Sequence, residues 1–197
     1  MAIALFAKRG IANTTIAQIA AAADVTGAMV HYWFDTREKL QDAIVDERIA
    51  PLMRGVWTAE PEQDDVAGLV RGLVLRMLDA TERAPWLPSL WLREIVQEGG
   101  LLKERMLKRI PLEQAVAFRR NVARAQARGG LNPDVSPDLL FISMLALVML
   151  PQAVAGTWQR VNPEVAVDRA GLERHVLGLV MAGLAPQPKA RGSRKRP

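Results

Sequence analysis

"TTIAQIAAAADVTGAMVHYWF", residues 14–34, holds two helix-like pieces of seven or eight residues, each too short to persist alone in water. A turn of three or four residues separates them, and the second closes on three consecutive aromatics, Tyr32, Trp33 and Phe34. Thr15 followed by Gln18 reads as a capping box. Ile16, Ile19 and Ala20 fall at helical spacing and point inward. Asp24 suits the turn because Asp tolerates a positive φ, and Thr26 caps the second piece. Two short helices sharing an apolar core across such a turn describe a helix-turn-helix. In that unit the second helix enters the DNA major groove and the first crosses the backbone. The aromatic knot then anchors the second helix: Phe34 is expected inward, with part of Tyr32 or Trp33 facing out beside the DNA.

Outward from this stretch, helical spacing recurs and strand signals are nearly absent. A first short helix, Ala2 to Lys8, presents Ile3, Phe6 and Leu5 and stops at Gly10. Asp35 or Thr36 caps a longer helix with Leu40, Ile44 and Val45 inward and a kink at Pro51. The polar "TAEPEQD", residues 58–64, is the best linker. Beyond it come helices over 65–83, 87–98, 101–128 (bent at Pro111, stopped at Gly129-Gly130), Asp138 towards Arg160, and Glu164 to about Leu184. The expectation is an all-α protein of about nine helices. Residues 1–48 form the helix-turn-helix head, 49–185 a helical bundle for ligand binding and dimerisation, and 186–197 a basic, disordered tail.

Composition narrows the function. There is no cysteine and there are two histidines, so disulfide and thiolate-metal chemistry are out and no cofactor is implied. The net charge of +5 resides in the tail, which carries Lys189, Arg191, Arg194, Lys195 and Arg196 and no acid. No Gly-rich phosphate loop, metal spacing or nucleophile–base pair is present, so an enzyme is not expected. The longest apolar run, "LLFISMLALVML" from Leu139 to Leu150, is shorter than the about 20 residues a bilayer takes. A cytoplasmic protein with no membrane partner is expected.

Through Thr15, Ile19, Ala20, Ala23, Val25, Thr26, Val30, Tyr32, Phe34 and Leu40, residues 3–48 resemble the DNA-binding segment of TetR-type (TetR/AcrR) transcriptional regulators. The resemblance implies a homodimer whose two heads read a partly palindromic double-stranded operator, and a small-molecule effector in the larger domain that releases the DNA. Three departures stand out. The chain starts inside the family's helix 1, so that helix is expected to be truncated. Asp24 replaces a turn glycine, and Gly27 replaces a basic residue. Residues 1–50 carry five basic and six acidic side chains, a balance that weakens phosphate attraction.

Within this frame the helix N-termini nominate Thr14, Thr15 and Thr26 for phosphate contacts, alongside their capping role. Gly27, Ala28, Met29 and His31 are candidate base readers. Met29 is alternatively a core filler and His31 a neutral surface histidine. Tyr32 and Trp33 can reach phosphates, as can Arg37 and Lys39, where the family carries a phosphate-contacting lysine.

For an apolar effector pocket the candidates are Trp57, Met77, Trp86, Trp91, Met106, Phe118, Phe141, Met144 and Trp158. Glu94, Arg76, Gln97 and Gln152 are available to orient a ligand; ordinary core is the alternative for each apolar residue. The last two helices offer Leu139, Ile142, Leu147, Leu150, Leu172, Val176, Leu179, Val180 and Gly183 for an isologous four-helix dimer interface, or else fill the monomer core. The expected function is a ligand-responsive regulator, most simply a repressor. The competing reading is a helical small-molecule-binding or scaffolding protein whose truncated head no longer binds DNA.

Overall fold

The computed structural model describes residues 1–58 and 65–186; most of the expected linker and of the basic tail lies outside them. Among the described residues all regular structure is helical. The chain runs α1 (Ala2–Arg9), α2 (Ile16–Ala23), α3 (Gly27–Phe34) and α4 (Arg37–Ile44). A π-helical turn, Val45–Ile49, carries α4 without a break into α5 (Ala50–Val56). Then follow α6 (Val66–Arg83), α7 (Leu87–Trp91) with a second π-helical turn at Leu92–Val96, and α8 (Lys103–Leu107). The bundle ends with α9 (Leu112–Ala127), α10 (Pro137–Val161) and α11 (Arg169–Leu184).

The described segments join into ten continuous helices, one more than the spacing predicts. The extra one arises at Pro111. Expected to bend a helix over 101–128, it stands instead as the N-cap residue of α9 and leaves α8 as a separate piece. Proline's missing N–H and its restriction on the preceding residue favour ending the helix there. Pro51 follows the first π-turn, where the wider ladder relieves the ring's clash with the preceding turn.

Two apolar clusters hold the chain together. One gathers Val70, Leu73, Met77 and Leu78 of α6 with Phe118 and Val122 of α9, Met144 and Val148 of α10, and Val176 and Leu184 of α11. The other joins Phe6, Ile11, Ile19, Leu40, Ile44 and Ile49 to Leu87 and Leu90 of α7, Leu102, Met106 of α8 and Met149 of α10. The head's interior is therefore completed by the bundle. A buried Phe or Leu contributes about 2–3 kcal/mol, so Phe6, with no exposed surface, fixes α1 far more firmly than an eight-residue helix fixes itself.

Helix α10 departs from one expectation. Pro151 lies inside the 25-residue helix, as the expected span from Asp138 towards Arg160 requires, but the helix is apolar over more than the run Leu139–Leu150. By length and composition α10 is sufficient to cross a bilayer, and little of its apolar surface is buried inside the chain. Ala153, Val154 and Ala155 extend the apolar character beyond the proline.

Candidate nucleic-acid interface

Helices α2 and α3 are set by their caps. The Thr15 hydroxyl accepts from Gln18 N–H at 3.2 Å while Thr15 N–H donates to Gln18 Oε1 at 2.9 Å, closing the capping box. Asp24 ends α2 in the left-handed region at φ 56°. Two residues on, the Thr26 hydroxyl accepts from Met29 N–H at 3.2 Å and opens α3.

Of α3 only Val30 is buried. Tyr32 and Trp33 are 84% and 72% exposed, their rings edge to face at 5.7 Å, and Met29 is 47% exposed. Ala28 and His31 are exposed and Gly27 half-buried on the same helix, so these groups share one open surface. Phe34 turns inward and packs, half-buried, on the head's cluster. Met29 and Trp33 also border an apolar groove of about 360 Å³ lined by Ile3, Ile19, Val25 and Ile44. His31 Nδ1 lies 3.2 Å from the Asp35 carbonyl oxygen; in the tautomer that donates there, Nε2 is left to accept.

Three candidates are already engaged. Thr14 is fully buried and its hydroxyl donates to the Gly10 carbonyl at 2.7 Å, so it locks the α1–α2 turn and presents no polar group to the surface. The Arg37 guanidinium donates to the Ile11 carbonyl, bracing α4 against the same turn. Lys39 pairs with Asp35 at 2.7 Å, and that hydrogen-bonded ammonium holds the Asp35 carboxyl below its usual range. Lys8 and Arg9, exposed on the last turn of α1, were not singled out from sequence; their only signal is a basic pair at a helix end.

The effector candidates divide between the two clusters. Trp57, Met77, Phe118, Phe141 and Met144 belong to the bundle's core, with Trp57 stacked on Phe141 at 4.7 Å. Trp86, Trp91 and Met106 belong to the head's cluster. Trp158 is 51% exposed on α10 and joins neither. Glu94 is buried, and its carboxylate accepts from Ile11 N–H at 2.7 Å and Leu101 N–H at 3.2 Å. Gln152 donates to the Thr81 hydroxyl and the Val148 carbonyl. Among the dimer candidates, Leu139, Ile142, Leu150, Leu179 and Gly183 are exposed. Leu147 is half-buried, whereas Leu172, Val176 and Val180 face the chain's own core.

Comparison with known proteins agrees with this geometry. Residues 1–44 match the family described as "Bacterial regulatory proteins, tetR family". The fold matches the ketosteroid transcriptional regulator KstR2 of Mycobacterium tuberculosis at 18% identity and a TM-score of 0.67, over 94% of this chain and 92% of that one. A putative transcriptional regulator from Streptomyces coelicolor aligns at 18% identity and a TM-score of 0.65, over 94% and 96% of the two chains. The TetR-family regulator PfmR from Thermus thermophilus aligns at 14% identity and 0.60, over 92% and 95%. No curated protein sequence matches at a significant level. The capped helix-turn-helix at residues 14–34 thus lies within a segment that matches the tetR family of bacterial regulatory proteins, and the helical bundle behind it completes the fold of solved TetR-family structures.

Proposed function

We propose that two copies of this chain bind a DNA operator through α3 and that a small molecule in the bundle releases them, which makes the protein a cytoplasmic, ligand-responsive repressor. The observation that carries the reading is the open surface of α3, where Tyr32 and Trp33 stand uncovered beside Met29, Ala28 and His31. Aromatic rings with polar tips suit a wet phosphate backbone. Gly27 and Ala28 permit close approach to base edges, and Met29 offers an apolar contact to thymine methyls. Residues 1–48 act as the reading head and 49–185 as the effector and dimerisation body, meeting at the π-turn. Thr15 and Thr26 lie at helix N-termini suited to phosphate.

The uncovered stripe of Leu139, Ile142, Leu150, Val154 and Trp158 on α10, with Leu179 of α11, supports self-association. Gln159 and Arg160, exposed near the C-terminal end of α10, argue against lipid as its cover. A symmetric pair would bring two weakly charged heads to one operator and compensate for the acidic balance of residues 1–50. Effector and DNA must then weaken each other by the same factor.

The test is a gel shift of the full-length protein on the promoter beside its own gene, repeated across salt. Sequence-preferring binding that weakens steeply with salt is expected. Binding with no sequence preference, or none at low ionic strength, rejects the regulator. It would favour instead a helical small-molecule-binding protein with an inactive head, a reading that the engaged Arg37 and Lys39 support.

A further inference from the structure

Arg76 of α6 is half-buried, and its Nε donates to the Val56 carbonyl at 2.7 Å, at the open C-terminal end of α5. Its Nη2 is buried without an acceptor. The other buried arginine nitrogen so placed among the described residues, Arg169 Nε, belongs to a guanidinium surrounded by Asp79, Glu82 and Glu173. Arg105 and Arg109 likewise meet Asp42 and Asp46. Among the described residues Arg76 has no such counter-charge, and burial lowers its pKa.

The C-terminal end of α5 supplies only a partial negative charge, about half an elementary charge, so the guanidinium is met in part and lacks a full counter-ion. A partly desolvated cation without an anion costs free energy that an incoming anion recovers. Gly72, one turn earlier, keeps the place open: a Cβ there would stand 2.9 Å from Arg76 Nη1. Beside the held carbonyl comes Trp57, stacked on Phe141 at 4.7 Å and 29° and edge-on to Phe118 at 6.1 Å. Trp57 and Phe141 are only half-buried, so part of this aromatic shelf stays open.

We propose that Arg76, in the space left by Gly72, and the shelf of Trp57 and Phe141 together bind a small apolar monocarboxylate, an aryl or acyl acid. The guanidinium fork matches a carboxylate in two parallel hydrogen bonds, and the shelf takes the apolar body. The aromatic shelf gives an apolar body a place that bare phosphate would leave empty, which favours an organic carboxylate over inorganic phosphate. This rests on the effector reading of the bundle and gives that effector a chemical class.

The experiment measures thermal unfolding and calorimetric binding of the full chain with phenylacetate, indole-3-acetate and octanoate, each against its amide, and with inorganic phosphate. Low-chloride buffer keeps chloride from competing. A carboxylate at ~100 times its Kd should raise Tm by about 5–10 °C, while its amide does not. Arg76→Gln should weaken binding by about ten-fold or more, since it removes a charge-assisted bond. Gly72→Ala supplies a second variant: alanine favours the helix, yet its methyl displaces the guanidinium, so binding falls while the fold holds. Equal responses to acid and amide, stronger binding of phosphate, or full affinity in Gly72→Ala each overturn the proposal. A gel shift with the same acids is read separately. Bound acid without DNA release would overturn the regulatory reading and leave this site standing.

Discussion

Glu94 Oε1 accepts the backbone N–H of Ile11 at 2.7 Å, across 83 residues of sequence. Its other oxygen takes the Leu101 N–H, so one buried carboxylate joins the α1–α2 turn to the segment between α7 and α8. Arg105 of α8 meets Asp42 at 2.8 Å and Arg109, just past α8, is paired with Asp46, tying this segment to α4 and the π-turn that follows it. The head thus rests on a short part of the bundle through three polar ties and one apolar cluster.

Replacing Glu94 by Gln keeps the shape but sets an amide N–H against one of two backbone donors. Leaving a buried donor unmet costs about 1–3 kcal/mol. Urea unfolding of E94Q at neutral pH should show a loss of that size. An unchanged midpoint would mean that the carboxylate is dispensable to the joint.

The Asp46–Arg109 pair gives a pH dependence of known sign. Hydrogen bonding to Arg109 holds the Asp46 carboxyl below its usual range. Stability from a depressed carboxyl is present above its unfolded pKa and lost as pH falls through the folded one. Wild type should therefore melt slightly above Asp46→Asn at neutral pH, and the two should converge below about pH 4. Added salt should narrow the gap as well, because the pair is solvent-exposed. A gap that widens on acidification contradicts the assignment.

Tyr32 and Trp33 touch too little of the chain to support it. Y32A and W33A should leave stability within about 0.5 kcal/mol, the range of ordinary surface changes. Operator affinity in gel shifts should nevertheless drop clearly. Loss of fold in either variant would return these rings to a structural role.

The α3 cap can be separated from the reading face in the same way. Thr26→Ala removes one hydroxyl acceptor and should cost about 1 kcal/mol in chemical denaturation. Its operator affinity should fall as well, since the helix N-terminus frays.

Leu179 is 51% exposed, so Leu179→Glu leaves the monomer's interior intact. Sedimentation should show a dimer for wild type and a shift towards monomer for L179E, with unchanged helical content. Identical sedimentation would place the self-contact elsewhere.

The head was legible because its determinants are local. Thr15 with Gln18, Asp24 at positive φ and Thr26 each act within three or four residues, and all appear where spacing puts them. What escaped was long-range or lay in the backbone ladder. Nothing near Glu94 in sequence reveals Ile11 as its partner, and neither π-turn has a local signature. Thr14 and Thr15 look alike in the chain, yet one is entombed and the other caps, because only the tertiary packing of α1 distinguishes them.

The π-turn at Val45–Ile49 accommodates one surplus residue in an otherwise unbroken rod. Each residue of an α-helix advances by about 100° around the axis. Deleting one position there would let the rod wind regularly and swivel everything upstream by roughly that angle, away from Arg105 and Arg109. Rotational phase between the two ends of this helix is therefore set in discrete steps, and a single-residue length change would reset it where no side-chain substitution could.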